Sequence, residues 1–259
     1  MTDTTDHQEA PVRRRTVLLG TGATAAALAV GAAGTDEPTR KENDDNSTTG
    51  RTAPVAAAVC TLTKELTEGP YYLDGALVRA DVSEGKPGIP LGLVLTVVDD
   101  ATCAPLNRAL VEVWSCDALG EYSGFVGNNG HQEPDNGTFL RGGVLTGADG
   151  VARITTIYPG WYRGRCIHLH VKVHTDVTLT AGGTFQGGRE LHTGQLFIDE
   201  AITTAVAAVS PYSANTVPRT TLAQDGIYGN GGATAGLMTV TGSNSAGYSG
   251  SLTLGIDQR

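Results

Sequence analysis

Residues 158–174 read YPGWYRGRCIHLHVKVH. Three of the chain's 6 histidines, His168, His170 and His174, fall on this one segment. On an extended strand, side chains two residues apart share a face. His168 and His170 are then close enough to bind one metal ion, while His174 lies further along that face. Ile167, Leu169, Val171 and Val173 take the opposite face and anchor the strand in apolar surroundings. Arg165 and Tyr162 stand just before the pair. Tyr122 occurs upstream in LGEYSGF, and both tyrosines have glycine-rich, turn-like neighbours. A free phenol ionises only near pH ~10, and a bound trivalent cation would bring that ionisation down to neutral pH. Phenolate is a hard, strongly donating oxygen that suits ferric iron better than zinc. Two neutral histidines with two tyrosinates would offset most of the charge of Fe(III). A polar strand face turned to solvent would show the same alternation. The tyrosines, the arginine and the aliphatic back face favour the metal reading.

These side chains need a scaffold, and the rest of the pattern predicts one made of strands. LGLVLTVVD (91–99), ALVEVWSC (109–116), GVARITTI (150–157), CIHLHVKVH (166–174) and TGQLFID (193–199) are rich in β-branched and aliphatic residues. LMTVTG (237–242) and GSLTLGI (250–256) are two more strand candidates. EAITTAVAAV (200–209) is the one good helix candidate, stopped before Pro211. Short strands separated by glycine-rich turns predict an all-β fold. The expected form is a β-sandwich, immunoglobulin- or prealbumin-like, with long loops and one short helix.

Composition narrows the partners. With 18 basic and 27 acidic residues the chain lacks the basic surplus of a nucleic-acid binder. RRRTVLLGTGATAAALAVGAAG (13–34) has arginines followed by a mild apolar stretch, the form of a twin-arginine export signal. It is less apolar than a stable membrane anchor. Residues 1–34 are therefore expected to be an export signal and 35–54 a disordered polar linker. Residues 55–259 are expected to form the folded catalytic unit in an exported protein. Four cysteines fall in that part: Cys60, Cys103, Cys116 and Cys166. In an oxidising compartment one disulfide is expected between two of the first three.

Four motifs in order resemble the intradiol ring-cleavage dioxygenases, the family of catechol and protocatechuate dioxygenases. They are TEGPYYLDG (67–75), LTVVDDATCAPLNRALVEVWSCDALGEYSGF (95–125), IYPGWYRGRCIHLHVKV (157–173) and TGQLFID (193–199). The resemblance implies one non-haem Fe(III) per chain, held by Tyr122, Tyr162, His168 and His170. It makes Tyr122 the tyrosinate that stays bound and Tyr162 the one that leaves when substrate arrives. It casts Arg165 as the group that stabilises developing negative charge and Gln195 as a polar residue of the oxygen and substrate pocket. Pro70 and Tyr71 would wall the substrate ring. Tyr158, the nearest rival to Tyr162, is expected to be structural, and His131 and His192 are expected to be solvated loop residues. The implied partners are a catechol-type substrate and O2, and the implied product is a muconate-type diacid.

The chain departs from the family by having only a short stretch before TEGPYY, where catechol dioxygenases carry a helical dimerisation domain. Oligomeric state and ring substituents are left open by that difference. A non-catalytic exported β-sandwich binding module would keep the scaffold without needing Tyr122, Tyr162, His168, His170 and Arg165 intact. A zinc or copper hydrolase would call for a third histidine or a carboxylate at supporting spacing.

Overall fold

A computed structural model describes residues 60–125 and 133–259. The expected signal and linker, and His131, lie outside the described residues. In chain order the elements are β1 (Pro90–Asp99), β2 (Leu110–Trp114), β3 (Arg141–Leu145), β4 (Val151–Ile157), β5 (His168–Thr175), β6 (Thr178–Leu179), β7 (Phe185–Gln186), β8 (Arg189–Phe197), α1 (Glu200–Ala207), β9 (Thr239–Ser243) and β10 (Gly247–Ile256).

The strands form two four-stranded sheets, ordered β4-β1-β10-β9 and β3-β2-β5-β8, and β6 and β7 make a small hairpin. This is the β-sandwich that the pattern predicts. Strand β1 alternates up to Val97, with Leu91, Leu93, Leu95 and Val97 buried. Across the core lie Val111 and Val113 of β2 and Leu169, Val171 and Val173 of β5. Each such side chain contributes roughly 1.5–3 kcal/mol when fully buried. The face of β5 opposite the histidines is thereby fixed. Helix α1 starts where expected, capped by the Asp199 side chain, which accepts from the Ala201 N–H at 2.8 Å.

Three expectations need correction. The segment RGGVL forms strand β3, which β-propensity hides because two of its five residues are glycines. Short helical turns at Tyr212–Ala214, Leu222–Gln224 and Tyr228–Gly232 add to the single helix expected. His192 is not a solvated loop residue. Strand β8 begins at Arg189, four residues before the apolar run TGQLF, so His192 sits on the strand and is buried. Burial lowers its pKa from the ordinary value.

Candidate metal centre

Strand β5 is central in its sheet, and its polar face is as buried as its aliphatic one. His168, His170, Lys172 and His174 are each less than a tenth exposed. Pairing sets their neighbours. Trp114 of β2 and Gln195 of β8 flank His170, and Phe197 lies across from His168. Trp114 stacks on the His170 ring, with centroids 4.7 Å apart and planes 7° from parallel.

The two imidazoles converge. His168 Nε2 and His170 Nε2 are 3.1 Å apart, and Tyr162 Oη lies 3.4 Å from His168 Nε2. Such spacings are those of neighbouring donors around one metal ion. His168 Nδ1 donates to the Cys166 carbonyl at 2.7 Å, which leaves the Nε2 lone pair facing the centre. Burial, reinforced by the Arg165 charge, pushes the His168 pKa down to about 3, and burial pushes that of His170 well below its usual value. Both rings are therefore neutral at physiological pH, as metal ligands must be.

The tyrosines complete the donor set from two loops. Tyr122 follows β2 and is fully buried, its ring 5.7 Å from that of Tyr162 and 6.2 Å from that of His170. Its hydroxyl makes no well-formed hydrogen bond among the described residues and faces the Tyr162 hydroxyl. A buried phenol costs about 1–3 kcal/mol if nothing engages it. Burial raises the Tyr122 and Tyr162 pKa values, so neither phenol ionises unless a cation sits beside it. Tyr162 follows a tight crossing at Gly160, where a Cβ would come within 2.4 Å of the Asp117 and Ala118 carbonyl oxygens. Two neutral imidazole nitrogens and two weakly engaged phenols fit a hard, high-valent metal. Among the described residues no three His, Cys, Asp or Glu side chains gather to offer an alternative.

Arg165 reaches the centre from the loop before β5. Its Nη1 lies 3.3 Å from His168 Nε2, its Nη2 donates to Gln195 Oε1, and its Nε donates to Asp225 Oδ2 at 2.8 Å. Gln195 Nε2 in turn donates to the Thr67 carbonyl at 2.8 Å. Burial raises the Asp225 pKa, but hydrogen bonds from the Tyr228 and Cys166 N–H groups and from Arg165 outweigh it and hold the carboxyl at about 2.

Residues 67–72 cross over the histidine pair as a strap. Gly69 passes so close to His170 that a Cβ would meet its Cε1 at 3.1 Å. Tyr71 stacks on Tyr122, with centroids 4.4 Å apart, and meets Tyr162 edge-on at 5.6 Å. Pro70, next to it, is exposed. Glu68 pairs with Lys172 at 2.5 Å, and Tyr72 donates to Glu112 Oε2 at 3.3 Å. Arg141 Nη1 donates to the Tyr71 carbonyl, while its Nε and Nη2 donate to the Oγ and carbonyl of Ser123, the residue after Tyr122. One buried arginine therefore ties the strap to the Tyr122 loop.

The structure thus brings Tyr122, Tyr162, His168, His170, Arg165, Gln195 and Tyr71 together. His174 is set apart, facing Glu112 at 3.1 Å. Tyr158 lies elsewhere, its hydroxyl 2.8 Å from Thr203 Oγ1. Asp225 and Arg141 carry no signal in the sequence that marks them for the site, since each acts through another residue. Cys60 pairs with Cys103, while Cys116 and Cys166 are free and buried.

Comparison with known proteins places the fold and sequence in a family. A family model described as "Dioxygenase" (Dioxygenase_C) matches residues 67–181. Catechol 1,2-dioxygenase 1 of Acinetobacter lwoffii is 35% identical over 100 residues, a stretch covering 37% of this chain and 30% of that protein. An intradiol ring-cleavage dioxygenase from Tetranychus urticae superposes with a TM-score of 0.66 at 31% identity, covering 76% of this chain and 95% of that one. The dioxygenase domain of a dioxygenase carbohydrate-binding protein fusion from Streptomyces sp. SirexAA-E gives a TM-score of 0.50 at 26% identity, with 76% and 99% coverage. With its strap, its tyrosine loops and its histidine strand inside or beside that matched span, the chain belongs to the intradiol ring-cleavage dioxygenase family.

Proposed function

We propose that this chain is an exported non-haem Fe(III) dioxygenase that uses O2 to cleave a catechol-type ring between its two hydroxyl-bearing carbons. The product is a muconate-type diacid. The observation that carries the reading is the convergence of two neutral imidazole nitrogens, 3.1 Å apart, with Tyr162 Oη and the buried Tyr122 phenol that faces it. His168, His170, Tyr122 and Tyr162 hold the iron. Bound there, ferric iron supplies the Lewis acidity that ionises the substrate hydroxyls and activates the ring toward O2.

The protein's own groups do the rest. Tyr162 is less deeply buried than Tyr122 and takes a substrate proton at Oη. Arg165, permanently charged, presents Nη1 and Nη2 to the negative charge that develops on the ring carbon and its oxygen. Gln195, held between Arg165 and the Thr67 carbonyl, orients the nearer hydroxyl or O2. Pro70 and Tyr71 cover the ring, and the strap keeps bulk water from the centre. Residues 1–34 serve as a twin-arginine-type signal and 35–54 as a linker, with 55–259 the catalytic unit. The strap limits the substituents that the ring can carry; catechol, alkylcatechols, hydroxyquinol and protocatechuate are the compounds to compare.

The test is metal analysis and product identification on protein made with ample iron. About one iron per chain, a wine-red colour and a muconate absorbing in the ultraviolet are expected. Stoichiometric zinc in a colourless protein, or a yellow semialdehyde product, would overturn the assignment.

A further inference from the structure

Asp225 has no role in the ligand set, yet its carboxylate is completely buried and fully engaged. Oδ1 accepts from the Ile227 and Tyr228 N–H groups at 2.9 and 3.0 Å. Oδ2 accepts from the Cys166 N–H and from Arg165 Nε, both at 2.8 Å. The manner of the arginine contact matters. A carboxylate that grips a guanidinium in the bidentate mode consumes its outer N–H groups. Asp225 instead takes Nε with one oxygen. Both Nη groups remain directed away from it, toward His168 Nε2 and Gln195 Oε1. The same oxygen holds the backbone at Cys166, two residues before His168.

We propose that Asp225 is a positioning residue for ring cleavage: anchoring Arg165 at Nε, it aims both Nη groups at the reacting centre. The proposal rests on the dioxygenase reading of Arg165. Without the anchor, Arg165 has a long, flexible stem and only two contacts, one of them 3.3 Å long, to fix its charge. An error of about 1 Å in such a group is enough to lose catalytic effect. Replacement by Asn keeps the size of the side chain but supplies only one oxygen. Either the turn N–H groups or the Arg165 and Cys166 N–H groups then face an NH2 donor.

The experiment compares iron-loaded wild type, Asp225→Asn, Arg165→Gln and the double variant with catechol. Asp225→Asn is expected to lower kcat on the order of tenfold with KM changed by less than about twofold. In the Arg165→Gln background the same change should cost nothing further, because the group it positions is gone. A second readout needs neither iron nor turnover. In metal-free protein the Arg165 Nε–H should give a nitrogen-15 NMR signal protected from solvent exchange, absent from Arg165→Gln and lost in Asp225→Asn. If Asp225→Asn does not fold, Asp225→Glu keeps the charge but moves the anchor, and the same cycle decides. Equal fractional losses in both backgrounds, or an unprotected Nε–H in wild type, overturn the proposal. Wild-type protein that takes up no iron and cleaves no catechol overturns the dioxygenase reading and the proposal with it. Wild-type turnover with an unaltered Asp225→Asn overturns the proposal alone.

Discussion

Tyr158, Tyr212 and Tyr248 form one cluster of tyrosine rings, and Tyr71, Tyr122 and Tyr162 form another. Tyr158, Tyr212 and Tyr122 are all fully buried, so depth does not separate the groups. Hydrogen bonding does. The Tyr158 hydroxyl pairs with Thr203 Oγ1, and Tyr212 donates to the Tyr158 carbonyl while accepting from the Ile89 N–H. Tyr248 donates to Asn244 Oδ1. Every hydroxyl in that cluster has a protein partner. In the second cluster Tyr122 Oη has no well-formed hydrogen bond among the described residues and faces only the Tyr162 hydroxyl, whose other contact is a long one to an imidazole. A fold built only for stability would have satisfied those phenols. Their weakly engaged oxygens lie in the same cluster of rings as two neutral histidines, a donor set that a cation would complete.

The sharpest way to break this contrast is Tyr122→Phe. Iron affinity is expected to fall by about 100-fold or more, with loss of colour, measured by metal content after dialysis. Retention of iron and colour would put Tyr122 with the structural tyrosines. Next in size is Tyr162→Phe, which should keep iron and a shifted visible band while turnover falls about 100-fold. Wild-type rate in this variant, with a loss of iron in Tyr158→Phe instead, would reverse the roles of the two tyrosines.

Smaller effects sharpen the picture. Gly160→Ala drives a methyl group into the Asp117 and Ala118 carbonyls and must displace the loop that carries Tyr162. A loss of about 1–3 kcal/mol in unfolding free energy is expected, read by denaturant titration together with iron uptake. The last comparison uses metal-free protein. Tyr158→Phe strands the buried Thr203 hydroxyl and should cost about 1 kcal/mol. Tyr122→Phe removes a buried, poorly engaged group and should leave stability unchanged or raise it by about 1 kcal/mol. Equal losses from both substitutions would mean that Tyr122 is well engaged after all.

The sequence reveals the parts of this arrangement that are local. Alternation in HLHVKVH places two histidines on one face of β5, and β1, β4 and α1 lie close to the spans their residue patterns predict. What stayed hidden depends on distant contacts. Strand β3 exists because β2 offers it a partner across a glycine pair, not because RGGVL favours extension. His192 is buried because β8 runs on past its apolar core to pair with the end of β5. Asp225 and Arg141 act from 60 and 18 residues away on Arg165 and Ser123, and no periodic pattern spans such gaps. The strap's residues could be read as a pocket wall, but its ties to Lys172, Glu112 and Arg141 appear only once the sheets are assembled.

The order of the strands bears on how a ribosome makes this protein. Of the described strands β10 is made last, yet it lies between β1 and β9, paired in parallel with β1 from Leu91–Tyr248 to Asp99–Ile256. The sheet that carries the histidines draws only on strands between Leu110 and Phe197 and can pair while translation continues. Its aliphatic side, with Leu169, Val171 and Val173, must then wait for a complete opposing sheet. During that interval the nascent chain exposes both an open β1 edge and a bare apolar surface, the two features that invite aggregation. A chaperone that covers them until β10 emerges would protect the half-made sandwich.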